Sequence, residues 1–196
     1  MVRRSLTTIV ALAALGLAQT ALAKETYVFD KAHTNIHISW DHFGFSTTSA
    51  EFEEFSGELR FDPDDHANSS VEVTIDLDSV DSGFDTFNRH LTEKSEWFDT
   101  AEHPEATFTS TEIEALDDDR LRVTGDLTLK GVTKEVTLET KINKIGEHPV
   151  TEAKTIGFDA TATVSRSAFD MSKYAPNVSD EVTIEISSEM QRESDL

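Results

Sequence analysis

The sequence predicts an all-β domain, an antiparallel barrel or sandwich carrying one short helix. Three observations predict it. Apolar and polar residues alternate with period two through most of the chain after Ala23. Turn-forming residues recur between the alternating runs. A single stretch, Ser82–Phe98, changes to a helical period.

Taken in chain order, the first segment is an address. Arg3 and Arg4 form a positive start, Ile9 to Ala18 is apolar, and Ala21-Leu22-Ala23 is an A-x-A cleavage site. The expected cut lies between Ala23 and Lys24, which leaves a mature chain of residues 24–196. The apolar run is too short to span a bilayer comfortably. Val2 and Ser5-Leu6-Thr7 fit a twin-arginine signal poorly. General secretory export to a periplasm is expected, with no stable membrane anchor after cleavage.

The strands follow. Ile36, Ile38 and Trp40 alternate with Asn35, His37, Ser39 and Asp41. Val71, Val73, Ile75 and Leu77 alternate with Glu72, Thr74, Asp76 and Asp78. Ile156, Phe158, Ala160, Ala162 and Val164 form a third such run, and Val182, Ile184 and Ile186 a fourth. Thr26–Asp30, Glu51–Asp62, Ala106–Leu116, Arg120–Lys130 and Lys134–Ile145 complete a set of about eight or nine strands rich in Thr and Val. Asp62-Pro63-Asp64-Asp65, Asp117-Asp118-Asp119 and Lys130-Gly131-Val132 supply the reversals. In the helical stretch Phe84, Phe87 and Leu91 share a stripe at i, i+3 and i+7. Trp97 and Phe98 follow out of period, and His103-Pro104 closes the segment. A barrel of about eight strands has an interior just wide enough for side chains or one slender ligand.

Composition removes several function classes. The absence of cysteine excludes disulfides, thiolate nucleophiles and cysteine-ligated metals. A net charge of −21 disfavours nucleic-acid phosphates and anionic membrane surfaces. The acidic residues are dispersed rather than gathered in a tail, a pattern suited to solubility at high salt, so a halophilic or salt-tolerant source is expected. Gly-x-Ser-x-Gly, a phosphate loop and His-Glu-x-x-His are all absent, so no catalytic residues and no enzyme are expected.

The remaining chemistry lies in aromatic rings, histidines and one arginine. His33, His37 and Asp41 recur every four residues, but strand neighbours at that spacing stand ~13 Å apart, too far to share one ion. No metal site is expected, and His42, beside Phe43-Gly44-Phe45, reads as structural. Arg166, between two serines and close to Phe169, is expected to pair with one of the many carboxylates, with recognition of a polar ligand group as the alternative.

The chain resembles the YceI-like polyisoprenoid-binding proteins from about Tyr27 to Glu189. The resemblance rests on Tyr27-Val28-Phe29-Asp30 with His33, on His42-Phe43-Gly44-Phe45-Ser46 and on Phe52-Glu53-Glu54-Phe55-Ser56-Gly57. It continues through His90-Leu91, Trp97-Phe98-Asp99 and His103-Pro104 to Thr124-Gly125-Asp126-Leu127-Thr128-Leu129-Lys130-Gly131, its most specific block. The chain departs from it near the helix, where Phe87-Asn88-Arg89 replaces an Arg-Asp pair and the segment from Leu91 to Trp97 is about one residue longer.

The resemblance implies a lipocalin-like barrel around an apolar tunnel that holds a long isoprenoid, a polyprenyl quinone or polyprenol, with no other cofactor required. Ile38, Trp40, Phe43, Phe45, Phe52, Phe84, Phe87, Leu91, Trp97, Phe98, Phe108 and Phe158 are then the lining candidates, and His90 and Arg166 the head-group candidates. The expected function is periplasmic sequestration or carriage of that lipid. Alternatives are a stress-related structural module whose own side chains fill the barrel, and an accessory of isoprenoid or quinone metabolism. A homodimer is left open.

Overall fold

The computed structural model describes residues 24–196, so the expected leader over Met1–Ala23 lies outside the described residues. The strands are β1 (Glu25–Phe29), β2 (Asn35–His42), β3 (Ser46–Phe52), β4 (Phe55–Phe61), β5 (Ser70–Asp76) and β6 (Val80–Asp81). Helix α1 (Asp85–Glu93) follows, then β7 (Glu105–Ala115), β8 (Arg120–Leu129), β9 (Val132–Glu147), β10 (Lys154–Ser165) and β11 (Glu181–Arg192). They form one 11-stranded sheet that closes on itself through β1 and β11.

Three staves of this barrel are each broken in two. β1 lies against Met190–Arg192 and β2 against Thr183–Ser187, so both follow the same edge of β11. β4 pairs β1 while β3 pairs β2, and β5 pairs β4 while β6 pairs β3. With each broken pair read as one stave, the molecule is a closed eight-stranded antiparallel barrel whose spatial order is its chain order.

The breaks have local causes. The Asp30 carboxylate accepts from the Ala32 amide and opens a 3₁₀ turn, Lys31–His33. Asp76 does the same for the Asp78 amide ahead of the turn Leu77–Ser79. Between these two, the chain breaks at Glu53-Glu54, where the Glu53 amide donates to Ser79 and the Asp76 amide donates to Glu54. The segment Glu51–Asp62, expected as one strand, is therefore divided between the end of β3 (Ser46–Phe52) and β4 (Phe55–Phe61), and β3 begins five residues before the expected start. Ser46-Thr47-Thr48-Ser49 carries no apolar alternation; the hairpin with β2 makes it a strand, from His42–Ser46 to Ile36–Phe52.

Alternation sets what faces in. On β9, Val136, Leu138 and Ile142 line the interior, while Glu135, Glu139 and Lys141 point outward. On β11, Ile184, Ile186 and Met190 face in, and Glu181 and Glu185 face out. This charged outer face is the inverse of a lipid-facing barrel wall. Among the described residues no helix is long and apolar enough to cross a membrane.

Glycine is required at Gly125. A Cβ on Gly125 of β8 would stand 2.5 Å from Phe108 Cζ and 2.6 Å from the Thr109 carbonyl. Gly125 thus provides the floor on which the Phe108 ring lies.

Candidate functional site: a tunnel and its mouth

The barrel interior holds two adjacent apolar cavities. The first, about 120 Å³, lies among Ile38, Trp40, Phe52, Leu91, Trp97, Phe98, Phe169 and Met171. The second, about 150 Å³, lies among Leu59, Phe61, Val73, Phe108, Ile113, Leu138, Ile142 and Phe158. Each is several times the ~10–15 Å³ that one water requires. Ile36, Ile75, Leu127 and Ile184 wall both, so these four side chains form the waist at which the two cavities meet.

The far end is closed. Tyr27, Phe61, Ile156 and Met190 are buried there as one cluster, with the Tyr27 and Phe61 rings edge to face at 6.1 Å. Outside this plug, Glu25 accepts from Lys154 at 3.0 Å and Arg192 at 2.7 Å, which joins the start of β1 to β10 and β11.

The other end is the mouth. A cleft of about 570 Å³ lies outside the first cavity, bounded by His42, Phe43, Phe87, His90, Lys94, Glu96, Lys173 and Tyr174. Trp40, Leu91, Trp97 and Val178 line both cleft and cavity, so they stand at the threshold. Helix α1 is set over this threshold by Asn88, which accepts from the Ser82 amide at 2.8 Å and donates to Asp81 at 2.8 Å. The chain then folds back: the Phe98 amide donates to Leu91 and the Thr100 amide to Thr92, which carries Trp97 and Phe98 under the helix. Phe87 meets Trp40 at 6.1 Å, and Phe98 meets Phe52 at 5.8 Å.

Arg166 is the titratable side chain among the residues lining the two cavities, and it is 4% exposed. The expected carboxylate pairing is not what the structure shows. Nε and Nη2 donate to the Ser179 and Val178 carbonyls at 2.8 Å each, and Nη1 donates to Met171. Asp180, the nearby carboxylate, is taken instead by the Ser167 amide and hydroxyl and by the Ser165 hydroxyl. Those hydrogen bonds hold its carboxyl below the usual range, while burial lowers Arg166. Sequence spacing favours a charge partner because carboxylates are so frequent; closure of the loop over residues 171–179 supplies carbonyls first.

The lining candidates divide into three groups. Ile38, Trp40, Phe52, Leu91, Trp97 and Phe98 meet at the first cavity, and Phe108 and Phe158 at the second. Phe43, Phe87 and His90 lie on the outer cleft. Phe45 and Phe84 stand outside the cavities, at 90% and 65% exposure, because the β2–β3 hairpin and the residue preceding α1 project beyond the barrel rim. Sequence reasoning missed the waist residues Ile36, Ile75, Leu127 and Ile184; their inward alternation marked them as core, and nothing in one strand announces where two cavities meet.

His33 lies on a 3₁₀ turn rather than a strand, and its partners come from elsewhere. Asp30, His33 and Glu189 bring ligand-type atoms within 4.8 Å of one another. The Asp30 carboxylate is already engaged, accepting from Ala32 at 3.0 Å and Gln191 at 3.0 Å and meeting His33 Nδ1 at 2.9 Å. The group works as a clasp between the β1–β2 break and β11. The His33 bond lowers the Asp30 carboxyl, and the Asp30 bond raises the His33 imidazole.

A YceI-like domain is matched over residues 27–190. The chain belongs to the YceI-like family. Protein YceI of Escherichia coli is 37% identical over 174 residues, which cover 88% of this chain and 89% of that protein. The crystal structure of Burkholderia cenocepacia BcnA superposes with a TM-score of 0.74 at 30% identity, over 82% of this chain and 98% of BcnA. A polyisoprenoid-binding domain from Saccharophagus degradans, implicated in plant cell wall breakdown, superposes at 0.65 over 86% of this chain and 99% of that one. At 15% identity that likeness concerns the fold. The closed YceI-like barrel confirms the expected lipocalin-like architecture.

Proposed function

We propose that this YceI-like barrel binds a long isoprenoid lipid non-covalently and shields it from water for carriage or storage. The observation that carries the reading is a pair of apolar cavities stacked inside the barrel on either side of the shared waist of Ile36, Ile75, Leu127 and Ile184. A slender apolar chain fits such an interior, and each buried methylene contributes ~0.8 kcal/mol before ordering costs. The polar head then lies at the mouth, near His90, in the cleft outside Trp40 and Trp97. The description of the Saccharophagus degradans relative supports the ligand class. A polyprenyl quinone or polyprenol is the proposed cargo, and binding without catalysis the proposed activity. The periplasm is the proposed site of action, on the strength of the leader over Met1–Ala23.

The test is to purify the protein from its own host under native salt, extract it with organic solvent and analyse the extract by mass spectrometry. A stoichiometric polyprenyl quinone or polyprenol is expected. An empty extract, from protein that also fails to take up added quinone, would overturn the reading in favour of a structural module. Sequencing of the purified N-terminus should begin at Lys24.

A further inference from the structure

We propose that the mouth of the barrel is a membrane-contact lip. Its partner is a bilayer surface rich in zwitterionic, ammonium-bearing phospholipid. The inference rests on the carrier reading, since a cargo this apolar has to leave and enter through a lipid phase.

The exposed large hydrophobic side chains of the described residues divide by end of the barrel. Phe43, Phe45, Phe84 and Tyr174, all aromatic, are 45%, 90%, 65% and 55% exposed. Phe43 and Tyr174 line the mouth cleft with rings 6.5 Å apart. Phe45 completes the same hairpin turn, and Phe84 stands one helical turn before cleft-lining Phe87. The aliphatic ones lie at the closed end, Leu116 and Val150 in hairpin turns, Ile145 near the end of β9 and Leu196 at the terminus. Aromatic rings that border a lipid-sized opening suit the water–bilayer interface.

The backbone holds these rings out. Phe43 and Tyr174 have φ of 58° and 64°, a left-handed conformation that bulky residues rarely adopt and that hairpin turns usually give to Asn or Gly. The Phe43 amide donates to Asn177 at 2.8 Å and the Val178 amide to Tyr174 at 2.9 Å, so the hairpin and the loop over residues 174–178 form one lip.

Charge selects the surface. A chain at −21 is repelled by anionic lipid. The lip carries both signs, Asp41 and Asp85 beside the outer rings and Lys94 and Lys173 on the cleft, with Lys173 Nζ 5.3 Å over the Tyr174 ring, so a head group that pairs an ammonium with a phosphate matches it.

The experiment is co-sedimentation of the purified protein with vesicles of phosphatidylethanolamine and phosphatidylcholine, at low and high NaCl, and with phosphatidylglycerol vesicles. Binding to the zwitterionic vesicles is expected to persist or rise with salt. Phe45→Ser and Phe84→Ser should each lower the partition coefficient about tenfold. Both side chains are solvent-exposed, and far-UV circular dichroism checks that the variants fold. Unchanged partition in the double variant, or binding that requires phosphatidylglycerol and falls with salt, would overturn the lip. Uptake of an octaprenyl quinone delivered from ethanol separates this from the carrier reading. Variants that load in solution yet miss vesicles support the lip. A parent protein that meets vesicles through these rings but never loads supports the lip and overturns the carrier reading.

Discussion

The Arg166 guanidinium lies 5.3 Å from the centroid of the Trp97 ring. This stack joins the segment after α1 to the loop before β11, the two walls of the mouth. The same guanidinium gathers the carbonyls of Met171, Val178 and Ser179, and Met171 and Val178 line the first cavity. A single buried cation therefore shapes the threshold while its charge is satisfied by backbone.

Arg166→Met should destabilise the fold by about 3 kcal/mol, because it leaves buried carbonyls without donors. Arg166→Lys should recover only part of this, since an ammonium lacks the planar fork. Urea unfolding measures both. A methionine variant as stable as the parent would show that the loop over residues 171–179 holds itself.

Gly125→Val should displace the Phe108 ring from its floor on β8 into the second cavity. The expected cost is about 1–3 kcal/mol of stability, as for other overpacked sites. Cargo affinity should fall with it, read by quinone titration against intrinsic fluorescence. Affinity equal to the parent's would place the cargo entirely in the first cavity.

Leu127→Trp should close the waist that the two cavities share. Each isoprene unit excluded from burial costs up to about 4 kcal/mol at ~0.8 kcal/mol per carbon. The variant should thus retain short prenyl chains and release long ones, as mass spectrometry of the bound fraction would reveal. An unaltered length distribution is incompatible with a chain threaded through the waist.

The clasp of Asp30 and His33 gives a defined pH dependence. His33 is raised from an ordinary value of 6.5, so its contribution is complete below that value and fades as pH rises through the folded-state pKa. Asp30 is lowered from 3.8, so its contribution is present above that value and is lost as pH falls through the folded-state pKa. The melting temperature of His33→Gln should fall furthest below the parent's between pH 3.8 and 6.5 and converge with it at higher pH. A gap that is constant with pH would mean that the pair contributes packing rather than charge.

Salt should stabilise the molecule. Self-repulsion at −21 is screened as the Debye length falls from ~10 Å at 0.1 M to ~3 Å at 1 M salt. The ion pairs that salt weakens, such as Arg122 with Glu114 and Glu139, are exposed and worth little each. A thermal melt against NaCl is expected to rise. A flat or falling curve would remove the case for a salt-tolerant source.

Most of the strands, their inward faces and the helix were legible in the sequence, while β3 and the division of Glu51–Asp62 were not. Period two assigns Val136, Leu138 and Ile142 to one side of β9 wherever that strand is placed, and the stripe of Phe84, Phe87 and Leu91 marks α1. Such patterns involve residues within a few positions of each other, so the sequence displays them directly. The resemblance to YceI-like proteins added closure and an apolar interior. Where staves break, which rings reach the cavities and what satisfies Arg166 came from the folded arrangement. Those outcomes depend on pairs distant in sequence: Asp30 with Gln191, Thr34 with Ser188, Phe43 with Asn177. Phe45 and Phe52 are alike in composition and seven residues apart, yet one is 90% exposed and the other 5%. The separation comes from ring closure, which sets the level of every residue along the barrel axis and leaves Phe45 above the rim and Phe52 within it.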